Sequence, residues 1–205
     1  MENNKIKWRG GALVAPVPPV MVSCGDMEKS NILTVAWTGI INTVPPKTYI
    51  SVRPSRFSYK MISESREFVI NLTTSALIKT ADLCGTYTGA KVDKFAKYSL
   101  TKAPADEVKC PMIAESPLSL CCKVTDVIKL GSHDMFLADI LSVYVDGSLI
   151  DKDGKLHLER ADLAAFAHGE YYALGKKLGD FGFSVRKKKR TGAGKMPGNK
   201  KDIKK

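Results

Sequence analysis

This 205-residue sequence lacks the long apolar runs and targeting signals that identify several protein classes. Its N-terminal apolar segment, residues 12–22, is interrupted by Pro16, Pro18 and Pro19, and no A-x-A cleavage site follows it. No apolar run approaches the roughly 20 residues of a membrane-spanning helix. The sequence therefore predicts neither a signal peptide nor a membrane span.

Cysteine and histidine are also few and are not arranged for metal binding. The five cysteines are an odd number with no CxxC pair, and the three histidines form no cluster with them at a metal-ligand spacing. Cys121 and Cys122 are sequence neighbours that point to opposite faces of a strand, so a disulfide between them is not expected. We therefore predict a reduced, cytoplasmic protein without a metal site.

Acidic residues are too few to balance the basic ones, and the net charge is +11. Residues 186–205 hold ten Lys or Arg and one Asp, so this tail carries +9 and leaves +2 on residues 1–185. The tail is too polar to bury a core, and we predict that it is disordered. It either solubilises the protein or attracts RNA, DNA or acidic proteins. The domain itself spans residues 12–185, after a loose segment at 1–11.

Within that domain the residue patterns predict mainly strands. No βαβ rhythm, internal repeat or heptad is present, which excludes a dinucleotide-binding α/β sheet and favours a β-barrel or sandwich. Strands are predicted at 31–37, 48–52, 67–72 and in a long hairpin, 118–130 with 133–146. Short helices are predicted from Ser55, at 74–84, at 93–98 and at 162–168, and residues 39–47 read as an irregular connection.

Side chains suited to an anion are concentrated between Arg53 and Lys60, where a strand passes into a helix. A helix start offers unpaired backbone N–H groups and a positive dipole end, and Ser55 is a suitable N-cap. This pattern is typical of a phosphate site and equally typical of a solvated cap. The strand before the cluster and the strand EFVINL after it favour the phosphate site and a small anionic cofactor.

The order of these elements resembles the flavin reductase-like family of FMN-binding split barrels, which includes the flavoredoxins. The resemblance covers roughly residues 12–185. It is carried by Asn31, Thr34, Pro45-Pro46, ISVRPSRFSYKMI, EFVINL, Asp93-Lys94-Phe95, Gly131-Ser132-His133, Leu174-Gly175 and Phe181-Gly182-Phe183. Trp37 and Gly39 match the flavoredoxin-like branch better than other relatives. The resemblance implies a Greek-key split β-barrel, mainly β with short helices, that forms a homodimer with FMN near the subunit interface.

The resemblance also implies positions for the FMN contacts. Backbone N–H groups of Ala36, Trp37, Thr38, Gly39 and Ile40 would lie beside the isoalloxazine ring. The segment from Arg53 to Tyr59 would take the phosphate, with Ser55, Arg56 and Ser58 as its ligands. Asn71 and Lys94 would complete the pocket, and His133 would lie on the flavin or donor side.

An FMN-dependent oxidoreductase is the implied activity, either a flavin reductase or a flavoredoxin-like electron-transfer protein. The electron donor would be NAD(P)H or a reduced carrier protein. Flavin reduction places negative charge over N1 and the C2 carbonyl, so the protein has to supply hydrogen-bond donors there and no catalytic acid, base or nucleophile. Two alternatives stay open: an FMN-binding module without turnover, and nucleic-acid binding through the basic tail.

Overall fold

The computed structural model describes residues 3–186, and this part of the chain consists mainly of short strands. The strands are β1 (Val20–Gly25), β2 (Ser30–Val35), β3 (Thr38–Thr43), β4 (Pro46–Val52), β5 (Glu67–Asn71), β6 (Lys102–Ala103), β7 (Met112–Ile113), β8 (Leu118–Lys129), β9 (Asp134–Val145), β10 (Ala164–Ala167) and β11 (Glu170–Ala173). The helices are α1 (Phe57–Ser65), α2 (Ile78–Thr86) and α3 (Lys94–Lys97). The predicted basic tail lies outside the described residues from position 187 onward.

Seven strands form one antiparallel sheet in the order β2-β1-β5-β8-β9-β4-β3. Its longest pair is the predicted β8–β9 hairpin, whose register shifts between Cys121 and Cys122 and again between Val124 and Asp126. Irregularities of this kind bend a strand and increase its twist, which lets the sheet curve. The predicted fold class, a mainly β Greek-key split barrel with short helices, is confirmed.

Hydrophobic clusters lie on both faces of this sheet, and period-two alternation decides which side chains enter each of them. Along β1, Val20, Val22 and Cys24 join the central cluster, whereas Met21 packs in a second cluster with residues of α2 and α3. Cys121 and Cys122 are both buried but in different clusters, as expected for neighbours on opposite faces. Helices α2 and α3 therefore cover the outer side of β1 and β2, whereas Ile62 of α1 packs in the central cluster.

The prediction of an irregular connection at 39–47 was wrong, because most of this segment pairs with β4 as strand β3. The two prolines do not prevent the pairing. Pro46 is the first residue of β4, a position where a strand tolerates proline, and Pro45 lies in the turn before it.

The helix predicted at 162–168 was also wrong, because β10 and β11 form a hairpin there. Its two-residue turn is His168-Gly169, with φ of 50° and 91°. Positive φ at both central residues is typical of the tight turns that join antiparallel strands. The short apolar run AAFA is compatible with a helix or a strand, and the tight His168-Gly169 turn that follows it favours the strand.

The chain divides into two compact units, with the boundary between Leu174 and Gly175. All eleven strands belong to the first unit. In the described part of the second unit, Lys177 forms an ion pair of 2.6 Å with Asp180. Between residues 3 and 186 no helix is long and apolar enough to cross a membrane.

Candidate functional site

Two adjoining clefts open where strand β2 meets the start of helix α1. The first, here called the strand cleft, has a volume of about 230 Å³ and is lined by Leu33, Thr34, Val35, Ala36, Trp37, Ser51, Val52, Arg53, Arg56 and His133. The second, here called the helix cleft, has about 220 Å³ and is lined by Asn31, Leu33, Arg53, Ser55, Arg56, Phe57, Ser58, Tyr87, Thr88, Gly89 and Lys94. Together they reach the roughly 300–1,000 Å³ typical of small-molecule sites.

A larger open groove of about 640 Å³ lies elsewhere, along the turn after β1 and the segment before β7. Its lining includes the five carboxylates Asp26, Glu28, Glu67, Asp106 and Glu107. Such a groove repels anions, whereas the linings of the strand and helix clefts contain no acidic residue within the described part of the chain. An anionic ligand therefore fits the two smaller clefts and not the large groove.

Lys94 is the main electrostatic feature of the helix cleft. It is the first residue of α3, whose N-cap Asp93 accepts a hydrogen bond from the Ala96 N–H. The side chain is only 2% exposed, and its Nζ donates 2.6 Å hydrogen bonds to the carbonyls of Ile32 and Cys84. Burial lowers its pKa, and so does the nearby Arg56 charge.

No carboxylate forms an ion pair with Lys94 in the part of the chain that the structure describes. An ammonium has three N–H donors, and the two carbonyls use two of them. A buried charge without a counter-ion costs several kcal/mol, on the order of the penalty found for other buried ions. An anion in the helix cleft would supply the missing partner.

Ser58 provides a buried hydroxyl in the lining of the same cleft. It is the second residue of α1 and is 1% exposed. The Asn31 side chain donates a 2.7 Å hydrogen bond from Nδ2 to the Ser58 Oγ. A hydroxyl held at the start of a helix, next to unpaired backbone N–H groups, suits a phosphate oxygen.

The segment before α1 is a turn in which the Arg56 N–H donates to the Arg53 carbonyl at 2.9 Å, with Pro54 and Ser55 between them. Ser55 was predicted to be the helix N-cap, and this was wrong: the N-cap is Arg56, without a side-chain cap. The reason is that Ser55 lies inside the Arg53–Arg56 turn, one residue before the N-cap position. Ser55 remains in the lining of the helix cleft, and Arg53 and Arg56 line both clefts.

The predicted ring-binding segment 36–40 is only partly in the strand cleft. Ala36 and Trp37 line it, and the Trp37 side chain is 37% exposed. Thr38, Gly39 and Ile40 belong to β3, at the edge of the sheet, and do not line either cleft. Because an edge strand is paired on one side only, alternate backbone N–H groups of β3 point away from β4.

His133 lies in the lining of the strand cleft, just before β9. Burial lowers its pKa from the ordinary value of 6.5, and the charges of Arg53 and Arg56 lower it further. The imidazole is therefore neutral at neutral pH. Its Nδ1 lies 2.9 Å from the Ser132 Oγ, so this pair shares a hydrogen bond.

Two further predicted site residues, Tyr59 and Asn71, also line neither cleft. The Tyr59 hydroxyl donates a 2.6 Å hydrogen bond to Asp134. Asn71 is fully buried, donating from Nδ2 to the Met21 carbonyl and accepting at Oδ1 from the Ile113 N–H. The structure therefore brings these two side chains together with the core and not with the other predicted residues.

Several cleft residues were not predicted as site residues from the sequence. The most prominent are Tyr87, Thr88 and Gly89, in the loop between α2 and α3. The segment GTYTG has no helix or strand period, and this is why it read as an ordinary loop. Its glycines were the available signal, because glycine marks places where a backbone approaches another group closely.

The thiols near the clefts are not activated as nucleophiles. Burial raises the pKa of Cys24 and of Cys84 to about 11 from the ordinary value of 9.0, so both are neutral thiols at neutral pH. Among residues 3–186 no three His, Cys, Asp or Glu side chains are grouped so that they could hold a metal ion.

Comparison with known proteins supports the same family. The model of the flavin reductase like domain matches residues 14–175. The flavoredoxin of Desulfovibrio vulgaris is 31% identical with a TM-score of 0.82, covering 89% of this chain and 100% of that one. The flavoredoxin from Methanosarcina acetivorans is 25% identical with a TM-score of 0.80, covering 90% and 100%.

A more distant relative is the FMN reductase (NADH) RutF of Enterobacter cloacae, 25% identical over 99 residues, which are 48% of this chain and 58% of that protein. The match of the domain model to more than half of the residues is decisive. This chain is a member of the flavin reductase-like family.

Proposed function

We propose that this protein binds FMN in the two clefts and acts as an FMN-dependent oxidoreductase, either a flavin reductase or a flavoredoxin-like electron-transfer protein. The observation that carries the proposal is the buried Lys94 ammonium, which opens on the helix cleft without a carboxylate partner among the described residues. The family membership makes a flavin the expected ligand, and an FMN phosphate would compensate this charge.

The residues present fit a flavin that ends in a phosphate. The phosphate would lie in the helix cleft, where Ser58, Lys94 and the first N–H groups of α1 provide donors. Ser55 and Arg56 lie at the same end of the helix. Charge-assisted hydrogen bonds of this kind contribute roughly 1.5–3 kcal/mol each, so the phosphate would fix the position of the ligand.

The ring would lie in the adjoining strand cleft. Trp37 offers an apolar face there, and the guanidinium groups of Arg53 and Arg56 offer positive potential. Bound FMN would supply the capacity to accept and release electrons. The protein would contribute binding, orientation and a cationic environment that favours the reduced, more negative ring.

Two copies of the chain are expected to associate. The edge strand β3 carries Ile40 and Ile41, and Val44 follows it, all with exposed apolar side chains. This surface and the family membership support a homodimer, which light scattering after gel filtration would test. A cytoplasmic location is supported by the five cysteines, all of which are unpaired.

The visible spectrum of the purified protein tests the proposal. We expect a yellow protein, or a colourless one that turns yellow when FMN is added and the excess is removed. Mixing the FMN-loaded protein with NADH, NADPH or a reduced ferredoxin without oxygen should bleach the flavin with at least one donor. Protein that takes up no FMN would refute the proposal, and FMN uptake without bleaching by any donor would reduce it to a binding function without turnover.

A further inference from the structure

Gly89 approaches Asn31 more closely than any side chain would allow. A Cβ atom placed at Gly89 would lie 2.2 Å from Oδ1, 2.4 Å from Cγ and 2.7 Å from Nδ2 of Asn31. These three atoms are the whole amide group, so the backbone of the 87–89 loop rests on that amide. The φ of Gly89 lies outside the left-handed region, so the position excludes a side chain by lack of space and not by backbone conformation.

The Asn31 amide in turn sets the orientation of the Ser58 hydroxyl. Asn31 is 3% exposed, and its Nδ2 donates to the Ser58 Oγ at 2.7 Å. Because Oγ accepts this bond, the hydroxyl proton of Ser58 is donated in another direction, toward the Cys24 thiol or toward a ligand in the helix cleft. Both side chains line the helix cleft, and a hydrogen-bond donor there suits a phosphate oxygen.

We infer that Gly89 is a positioning residue for the cofactor phosphate. Its missing side chain lets the 87–89 loop close against Asn31, and Asn31 then holds the Ser58 hydroxyl as a donor in the helix cleft. The inference rests on the proposed function, since it assigns the phosphate of FMN to this cleft. Gly89 acts through Asn31 and does not itself need to touch the phosphate.

Gly89→Ala tests the inference, with Gly147→Ala as a matched control. A Cβ atom placed at Gly147 would meet no other atom within 4 Å, and the φ there is ordinary, so an alanine fits. The measurement is the Kd of FMN and of riboflavin, which lacks the phosphate. We expect Gly89→Ala to weaken FMN about tenfold or more, which corresponds to the loss of one hydrogen bond to a charged group, and riboflavin by less than about twofold. Equal losses for both ligands, or no loss for FMN, would overturn the inference.

A double-mutant cycle with Asn31→Ala then tests the proposed route. Once the amide is gone, a methyl group at Gly89 has nothing to displace, so Gly89→Ala should weaken FMN no further in that background. Additive effects of the two substitutions would show that Gly89 acts independently of Asn31, contrary to the inference.

Asn31→Asp serves if Gly89→Ala does not fold, because it has the same shape and leaves the glycine contact intact. An aspartate oxygen cannot donate, so the Ser58 proton would turn toward it and away from the phosphate. We expect FMN to bind at least about tenfold more weakly and riboflavin to change little. An unchanged ratio of the two Kd values would refute the role of this pair. Failure of the wild-type protein to bind any flavin would instead refute the proposed function, so the two failures are distinguishable.

Discussion

Replacing Lys94 with methionine removes the buried ammonium of the helix cleft and keeps much of the length of the side chain. The ammonium is 2% exposed and is bonded to two backbone carbonyls, those of Ile32 and Cys84. Its third N–H is the group that we assign to the FMN phosphate. The substitution therefore changes ligand binding and protein stability by separate routes, and each has its own magnitude.

Binding of FMN should weaken strongly. The lost interaction is a hydrogen bond between two charged groups, which contributes roughly 1.5–3 kcal/mol. At about 1.4 kcal/mol for each factor of ten, the Kd should rise by about 10- to 150-fold. Binding of riboflavin should change by much less, because riboflavin has no phosphate.

Stability of the ligand-free protein should change little, because two effects oppose each other. Removing an uncompensated buried charge is favourable, whereas leaving the Ile32 and Cys84 carbonyls without their donor costs about 1–3 kcal/mol. We expect a net change in the free energy of unfolding below about 2 kcal/mol.

Fluorescence titration with FMN and riboflavin, together with urea denaturation of the ligand-free protein, measures both effects. Lys91→Met is the matched control, because Lys91 is exposed in the loop just before α3 and lines neither cleft. FMN affinity of Lys94→Met equal to that of the control would refute the reasoning. So would an equal loss of riboflavin affinity, since the ammonium would then act on the ring or on the fold.

Three further predictions concern other parts of the chain. Ser55→Ala combined with Arg56→Ala should weaken FMN at least about tenfold by titration while the melting temperature stays close to that of the wild type, since both residues are exposed; unchanged affinity would move the phosphate elsewhere. Phe136→Ala should cost about 3–5 kcal/mol in urea unfolding, because this ring is fully buried in the barrel core; a cost below about 1 kcal/mol would contradict that packing. Hydrogen bonds to Asp151 and Glu159 raise the pKa of His157, so the charged His157 stabilises the fold fully below pH 6.5, and this contribution is lost as the pH rises through the raised pKa. His157→Asn should therefore destabilise the protein more at pH 6 than at pH 9. An equal effect at both pH values would exclude a charged histidine.

The sequence predicted the strands around the site because their patterns are local. The run Thr48–Val52 is rich in β-branched residues, and apolar residues recur at every second position from Leu118 to Val124, before the Gly-Ser turn of the hairpin. These patterns depend on contacts within a strand pair, so a single sequence reveals them. The same holds for the basic and hydroxyl-rich cluster 53–60, since a strand end and a helix start are adjacent in the chain.

The roles of individual side chains were less predictable, because they depend on contacts between distant segments. Asn71 is polar and lies at a strand end, as a ligand would, yet its amide bonds β1 and β7 together in the core. Gly89 looks like any loop glycine until the fold places it against Asn31. Burial of Lys94 could not be inferred from composition, since lysine is rarely buried and its two carbonyl partners lie 62 and 10 residues away.

Buried Lys94 also links the stability of the protein to its ligand. In the ligand-free protein the ammonium lies in a poorly solvated site with carbonyl dipoles as its only partners among the described residues, so part of the folding free energy is given up to keep it there. A bound phosphate would restore that energy, and ligand at 100 times its Kd would stabilise the fold by about 2.7 kcal/mol. At equal ligand concentrations the wild-type protein should therefore gain more thermal stability from FMN, the ligand expected to bind more tightly, than from riboflavin. Lys94→Met should lose this difference. Because a buried ammonium without a counter-ion is costly to the empty protein, its presence in the helix cleft supports the proposal of an anionic ligand there.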